Sequence, residues 1–360
     1  MNLFDKLSDP DICRGVLDKI RGEVGERMKF MEVCGTHTVS IFQSGIRDIL
    51  PEKVIHLSGP GCPVCVTHER EVAAFLELAA KNVTIATFGD LMRVPGPKGM
   101  NLKKAQAEGA RIKVVYSPFD ALNFAKEHPD EKVIFLGIGF ETTAPTVAAT
   151  INLAREMDVN NLFVLSFHKL VPPALEVLVQ DGGIDLDAFL LPGHVSTIIG
   201  KAPYEFLARD YAIPSVIGGF DPLDILRALL EMIRQQNRGE AKVVNCYKRA
   251  VGDDGNPNAR RMMDEVFVVK DALWRGLGTI PKSGLGIAEN FAQFDARREF
   301  DLELPDVSPI PGCRCGDVLK GKLNPDECPL FAKACTPANP VGPCMVSTEG
   351  SCAAYYKYSI

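Results

Sequence analysis

Between residues 31 and 240 the chain alternates short, continuous apolar runs rich in β-branched residues with longer amphipathic or alanine-rich stretches. The runs predict strands at Val54–Leu57, Val83–Phe88, Ile112–Tyr116, Val133–Ile138, Leu162–Phe167, Phe189–Leu191 and Ser215–Ile217. The intervening stretches predict helices at Glu69–Ala80, Phe119–Lys126, Pro145–Glu156, Pro173–Val179 and Pro222–Gln236. Unbroken apolar strands alternating with helices imply parallel sheets covered on both faces. Two small α/β domains are expected, one over residues 31–130 and a second over 131–240. Ahead of them, residues 1–30 carry apolar positions at helical spacing: Leu3, Phe4 and Leu7, then Ile12, Val16, Leu17 and Ile20. They read as one or two helices that pack on the C-terminal domain.

After Arg238 the texture changes. VVNCYKRAV and EVFVVKD read as antiparallel strands around the polar turn GDDGNPNARR. The single Trp274 precedes Arg275-Gly276-Leu277-Gly278, a glycine-rich turn. From about residue 308, proline and glycine are dense and apolar content is thin, so a cross-link or a metal is needed to keep the segment folded. Residues 241–360 are expected to form a third, cysteine-rich α+β domain.

Composition removes several function classes. The chain has 360 residues, 46% apolar and 24% charged, which excludes disordered, collagen-like and coiled-coil chains. A net charge of −6 gives no electrostatic case for nucleic acid as a partner. No apolar run approaches the roughly 18 residues of a membrane span, and the N-terminus has no signal-peptide core. A cytoplasmic protein is expected, with no nucleic-acid or membrane partner.

Cysteine changes this ordinary picture. Of 11 cysteines, six lie in the tail: Cys313, Cys315, Cys328, Cys335, Cys344 and Cys352. A reducing cytosol disfavours permanent disulfides, so clustered thiols point to metal or redox chemistry. Cys313-x14-Cys328-x6-Cys335-x16-Cys352 lacks the close C-x2–4-C pairs of zinc sites. Widely spread thiolates suit an iron–sulfur cubane, each corner reached from a different loop. Zinc, metal-free redox thiols and a disulfide-stapled cap remain alternatives. Cys315 and Cys344, beyond a four-ligand set, could form a dithiol or disulfide beside a cluster.

Two further motifs carry sulfur. In Cys34-Gly35-Thr36-His37-Thr38, helical continuation would set Cys34 and His37 on one face, with Thr36 and Thr38 as hydrogen-bond donors to whatever the sulfur binds. A buried structural cysteine is the alternative. Gly59-Pro60-Gly61-Cys62-Pro63-Val64-Cys65 follows a strand and precedes a helix, the thioredoxin-type redox arrangement. Its alternative, half a zinc knuckle, has no second C-x-x-C to complete it.

Polar residues also mark strand ends. Glu141, Thr142 and Thr143 follow Gly137-Ile138-Gly139, where open α/β sheets bind ligands; the third glycine of a dinucleotide fingerprint is missing, and no Gly-Lys-Ser/Thr follows for a P-loop. His168, in Ser166-Phe167-His168-Lys169, and His194, in Pro192-Gly193-His194-Val195-Ser196, end the next two strands. Each reads equally as a ligand-facing or a structural histidine.

MEVCGTHT, GPGCPVCV, GFETTAPT, LPGHVS and the spread cysteine tail, in this order, resemble the HypD family of [NiFe]-hydrogenase maturation proteins. The resemblance covers essentially the whole chain. It implies two related α/β domains plus one carrying a [4Fe–4S] cluster. It also implies a scaffold on which Fe(II) acquires cyanide and carbon monoxide, working with the small partner HypC. HypE would supply cyanide, and the hydrogenase large subunit would receive the product. Cys34 then matches the thiolate that holds the iron opposite a cysteine of HypC, with His37, Thr36 and Thr38 as neighbours or ligands. Cys62 and Cys65 match a redox dithiol facing that iron. Cys313, Cys328, Cys335 and Cys352 match the cluster spacing, an arrangement that looks similar to ferredoxin:thioredoxin reductase, and Cys315 and Cys344 are assigned to the electron path. The expected protein is mainly an assembly scaffold with redox activity. A freestanding iron–sulfur-dependent disulfide reductase and a zinc-stabilised interaction module are the competing readings.

Overall fold

The computed structural model describes residues 7–358; Leu3 and Phe4 of the expected first helix lie outside them. Helix α1 (Pro10–Glu23) starts where Asp9 accepts hydrogen bonds from the amides of Asp11 and Ile12, with Pro10 in the first turn. Strand β1 (Met28–Glu32) follows, in a stretch read from the sequence as helical. Met28-Lys29-Phe30-Met31-Glu32 lacks a β-branched residue and carries charge at two of five positions, so local propensity hides it.

The remaining predicted elements appear within a few residues of their expected limits. Helix α2 (Gly35–Gln43) leads to β2 (Val54–Ser58), α3 (Pro63–Val66) and α4 (Glu69–Ala79). Next come β3 (Thr84–Thr87), β4 (Arg111–Val114), α5 (Pro118–Glu127), β5 (Val133–Gly137), α6 (Ala144–Glu156) and β6 (Leu162–Ser166). Helix α7 (Val171–Gln180), β7 (Ala188–Leu191), α8 (Gly193–Ile199), β8 (Ser215–Ile217), α9 (Pro222–Arg238) and β9 (Val243–Asn245) complete the alternation.

Both large sheets are parallel, as the apolar strands predict. Their membership does not follow chain order. One has five strands in the order β2-β1-β7-β8-β9, the other four in the order β4-β3-β5-β6. The chain leaves the first sheet after β2, builds the whole second sheet and returns at β7. A boundary at residue 130 has no counterpart in this arrangement, because β3 pairs with β5 across it, Ile85 opposite Ile134. The expected packing of the N-terminal helix is also corrected: Leu17 and Ile20 of α1 join Met28 and Phe30 of β1 and Ile225, Leu226 and Leu229 of α9 in one core. Arg234 closes that contact with a bidentate pair to Glu23, each bond 2.8 Å.

The antiparallel pair expected around GDDGNPNARR forms elsewhere. Val243–Asn245 is a parallel edge strand on β8, and Asn256 caps a helix, α10 (Pro257–Val266), within that polar stretch. The hairpin is β10 (Phe267–Trp274) with β11 (Gly278–Ile287), Trp274 opposite Gly278. Its turn is the Arg275–Leu277 segment, where Gly276 adopts φ +78°. Trp274 is fully buried, its indole N–H donating to Ser283 Oγ at 2.8 Å.

Helix α11 (Ala296–Glu299) lies against β6, and the tail holds one five-residue helical segment (Cys315–Leu319) and short 3-10 turns before α12 (Ser351–Tyr358). Tyr355 docks α12 on α2, its ring 4.7 Å from Phe42 and its hydroxyl 2.9 Å from Arg47 Nη2. Among the described residues, no helix is long and apolar enough to cross a membrane.

Candidate functional site

Parallel pairing aligns the C-terminal ends of β1 and β2, with Glu32 opposite Ser58. The chain segments just beyond, carrying Cys34 and Cys62, therefore emerge side by side. The Gly35 amide donates to Gly61 O at 2.9 Å, and the Gly59 amide to Glu32 O at 2.8 Å. At Gly61 any side-chain carbon would collide with the Cys34 backbone, so this approach requires glycine.

Cys34 is the extended residue capping α2, and its side chain makes no capping bond. Glu32 anchors this turn. Its Oε2 accepts from the Cys34 amide at 3.0 Å and its Oε1 from the Thr38 hydroxyl. An acidic group at a helix start is favourable, although burial raises the Glu32 carboxyl above its usual range. The Cys34 thiol is 7% exposed. Burial first, then the Glu349 charge, push it up to about 12.

Cys34 opens into a cleft of about 380 Å³, lined also by Thr36, Gly61, Pro63, Phe140, Thr142, Thr143, His194 and Glu349. Both large sheets contribute strand ends to it. Thr36 Oγ1 donates to Glu349 Oε1 at 2.8 Å and lies 3.5 Å from His194 Nδ1. Of the residues expected in a cleft, Cys34, Thr36, Thr142, Thr143 and His194 are brought together. Thr38 is turned to Glu32. His37 does not line the cleft: its Nε2 donates to Gly219 O at 2.9 Å, and burial holds it neutral, down to about 4. His168 lines a separate cavity.

Glu141 lies buried beside the cleft wall. Its Oε1 accepts from the Val171 amide at 2.9 Å, its Oε2 has no partner, and burial pushes the carboxyl up to about 7. Between its unfolded value near 4.5 and about 7 the unfolded chain is the more deprotonated, so this group's contribution to stability falls as pH rises through that window. Glu141→Gln keeps the Val171 acceptor and is expected to raise stability at pH 8 by up to about 3 kcal/mol, with no gain at pH 4. Urea melts at the two pH values check it; equal gains at both would place the cause elsewhere.

Cys62 and Cys65 form a disulfide across the first turn of α3, with Cα atoms 5.2 Å apart. At 3% and 0% exposure they sit below the cleft rather than lining it. On their far side, the Arg275 amide donates to Val66 O at 2.9 Å and its Nε to Thr67 O at 3.0 Å, while Nη1 pairs with Glu69. The buried Nη2 of Arg275 has no partner, and its charge is the smallest of the influences on Cys313, which its contact with Cys315 and burial raise overall, and on Cys344. The Cys-Pro-Val-Cys turn thus touches the Cys34 segment through Gly61 on one side and the tail segment Pro343–Met345 on another.

Those thiols form a contiguous group. Cys313 and Cys315 sulfurs are 3.2 Å apart. Cys344 is hydrogen-bonded to Cys315 and then Cys352, which hold it down to about 5. Cys335 Sγ accepts from the Val341 amide at 3.3 Å. A side chain at Gly342 would run into both the Cys313 and Cys315 sulfurs. Cys328 is half-buried. The contacts do not separate the four expected ligands from Cys315 and Cys344. Among the described residues, no three His, Cys, Asp or Glu side chains are spaced as a ready metal site; the six tail cysteines are free thiols.

Sequence reasoning missed Glu32, Arg275 and Glu349. Each had a local signal: Glu32 lies two residues before Cys34, Arg275 follows the only tryptophan, and Glu349 lies between two tail cysteines.

A family model described as "HypD: Hydrogenase formation hypA family" matches residues 11–359. The chain is 44% identical over 368 residues to the hydrogenase maturation factor HypD of Cupriavidus necator, covering 99% of this chain and 97% of that protein. It is 44% identical over 367 residues to the HypD of Escherichia coli, covering 99% and 98%. It is also 44% identical over 356 residues to a putative hydrogenase expression/formation protein of Methanocaldococcus jannaschii, covering 98% of each chain.

Proposed function

The chain belongs to the HypD family of hydrogenase maturation factors, and from that premise we propose that it is the scaffold on which the hydrogenase iron acquires its cyanide and carbon monoxide ligands. In this reading the iron is cargo, held with HypC, given cyanide by HypE and passed to the large subunit. The observation that carries it is the cleft with a single thiol, Cys34, on its wall. A soft thiolate suits low-spin Fe(II) with strong-field ligands. One thiol leaves the remaining positions for small ligands and for a donor from a partner. Thr142 and His194 supply polar groups in the cleft for the nitrogen ends of bound cyanide.

The buried Cys34 thiol must lose its proton when a metal binds. Because it is pushed up to about 12, iron retention by the HypC complex is expected to strengthen about tenfold per pH unit around neutrality. A pH-independent iron affinity would remove Cys34 from the ligands.

The tail fits a [4Fe–4S] cluster in donor chemistry: several thiols gather there, and the unpartnered Arg275 Nη2 offers a positive charge to an anionic group. We assign Cys313, Cys328, Cys335 and Cys352 to hold it, and Cys315 and Cys344, in mutual hydrogen-bond contact, to act as a dithiol. Bound there, the cluster supplies single electrons. The protein residues supply the route's geometry, with the Cys62–Cys65 turn touching both the tail and the Cys34 segment. Their burial weighs against a freestanding reductase, whose disulfide must meet a protein substrate.

Infrared spectroscopy of the anaerobically purified complex with HypC tests the reading. Stretches of metal-bound carbon monoxide and cyanide are expected. Iron-loaded protein with neither band, from cells that make active hydrogenase, would overturn it.

A further inference from the structure

Away from the iron cleft, a cavity of about 100 Å³ lies where the end of β6 meets the β10–β11 hairpin. It has room for a few water-sized groups. Its walls include Glu71, His168, Lys270, Asp271 and Arg297. The negative groups there each accept at least one hydrogen bond from elsewhere. Both oxygens of Glu71 accept from Lys169 Nζ at 2.9 Å, and one also accepts from the His68 amide at 2.9 Å. Lys169 is completed by Leu273 O at 2.6 Å. Asp271 accepts from the Lys282 amide, and neighbouring Asp295 from the Arg297 amide, each at 2.9 Å.

Two cations are left over. Among the described residues, neither half-buried side chain, Lys270 or Arg297, makes an ion pair or a side-chain hydrogen bond, and Arg297 Nε is buried with no partner. The guanidinium lies 5.1 Å from the Phe167 ring centre, which covers one face. Desolvation first, then the neighbouring Arg297 charge, pull the Lys270 ammonium down to about 8, with the Asp295 and Glu71 charges opposing only in part. Burial lowers Arg297 likewise. Two desolvated like charges facing one small space are unfavourable unless a countercharge joins them.

We propose that this cavity is a binding site for a small oxyanion, held between Lys270 Nζ and Arg297 Nε. The anion carries a proton. Ser166 Oγ donates to Leu285 O at 2.8 Å, so it accepts from His168 Nδ1 at 3.0 Å. That leaves His168 Nε2 as a buried lone pair with no donor. Hydrogenphosphate offers two charged oxygens for the cations and a hydroxyl for that nitrogen, whereas sulfate has no hydroxyl to give. The site is independent of the iron reading.

Inorganic phosphate is the probe, titrated calorimetrically at 25 °C and pH 7 into the full chain at constant ionic strength. Saturable one-to-one binding is expected, with sulfate at least about tenfold weaker. Lys270→Met and Arg297→Met should each weaken phosphate at least about tenfold, and Lys282→Met, on the exposed side of the same hairpin, should leave it unchanged. Circular dichroism establishes that each variant is folded. If a variant fails to fold, Lys270→Gln takes its place with the same expected loss. Absent binding, or equal binding by the folded Lys270 and Arg297 variants, overturns the site; sulfate binding as tightly as phosphate overturns the protonated-anion assignment.

Discussion

Cys34→Ala is expected to abolish hydrogenase maturation while leaving the fold intact. The Cys34 side chain caps nothing, and the bond from its amide to Glu32 survives the change. The stability cost is one buried sulfur, about 1 kcal/mol. The functional loss is of another order, because no other thiol lines the cleft. Losing a contact that merely orients a metal ligand costs about 10- to 100-fold; losing the one thiol this chain presents to the proposed iron should exceed that. Hydrogenase activity in cells whose own gene is deleted, beside a melting curve of the variant, separates the two effects. Activity at more than a tenth of the parent level would show that Cys34 is not where iron is held. Cys34→Ser is expected to be equally inactive, since a hydroxyl is a harder donor and does not ionise in this range.

Lys169→Met should produce a large loss of stability. Lys169 is 1% exposed, and its ammonium is satisfied by both Glu71 oxygens and Leu273 O. Removing it leaves the Glu71 carboxylate buried with only the His68 amide as donor. Breaking a buried pair from one side costs about 3–5 kcal/mol, a fall in Tm of about 5 °C or more. Lys169→Met with Glu71→Met removes both charges and is expected to recover more than half of the loss, because two thioethers fill the space without an orphan charge. A single variant that melts with the parent would show that the ion pair contributes nothing. A double variant no better than the single would point to packing instead.

The alternation of apolar runs and amphipathic stretches determined most elements and the parallel sheets, because burial on both faces leaves a continuous apolar imprint. It could not determine which strand lies beside which. The pattern from β2 to β3 looks like any other βαβ step, yet there the chain leaves one sheet for another. It also hid β1, whose Lys29 and Glu32 look solvent-facing. Lys29 instead reaches Asp185, and Glu32 is buried against the Cys34 amide and Thr38.

The same division runs through the site. Residue order alone marked Cys34, through its Cys-Gly-Thr-His-Thr motif, and the Cys62–Cys65 turn and the polar strand ends, which follow legible strands and so lie where parallel sheets present segments at one edge. Only the tertiary structure decided that His37 and His168 face away from the cleft while Thr36 and His194 face into it, and that Glu349 arrives from the tail to join them. Local spacing places a side chain on a face of its own element; the element packed against that face decides whether it meets solvent, a cleft or a carbonyl, and that neighbour is drawn from a distant part of the chain.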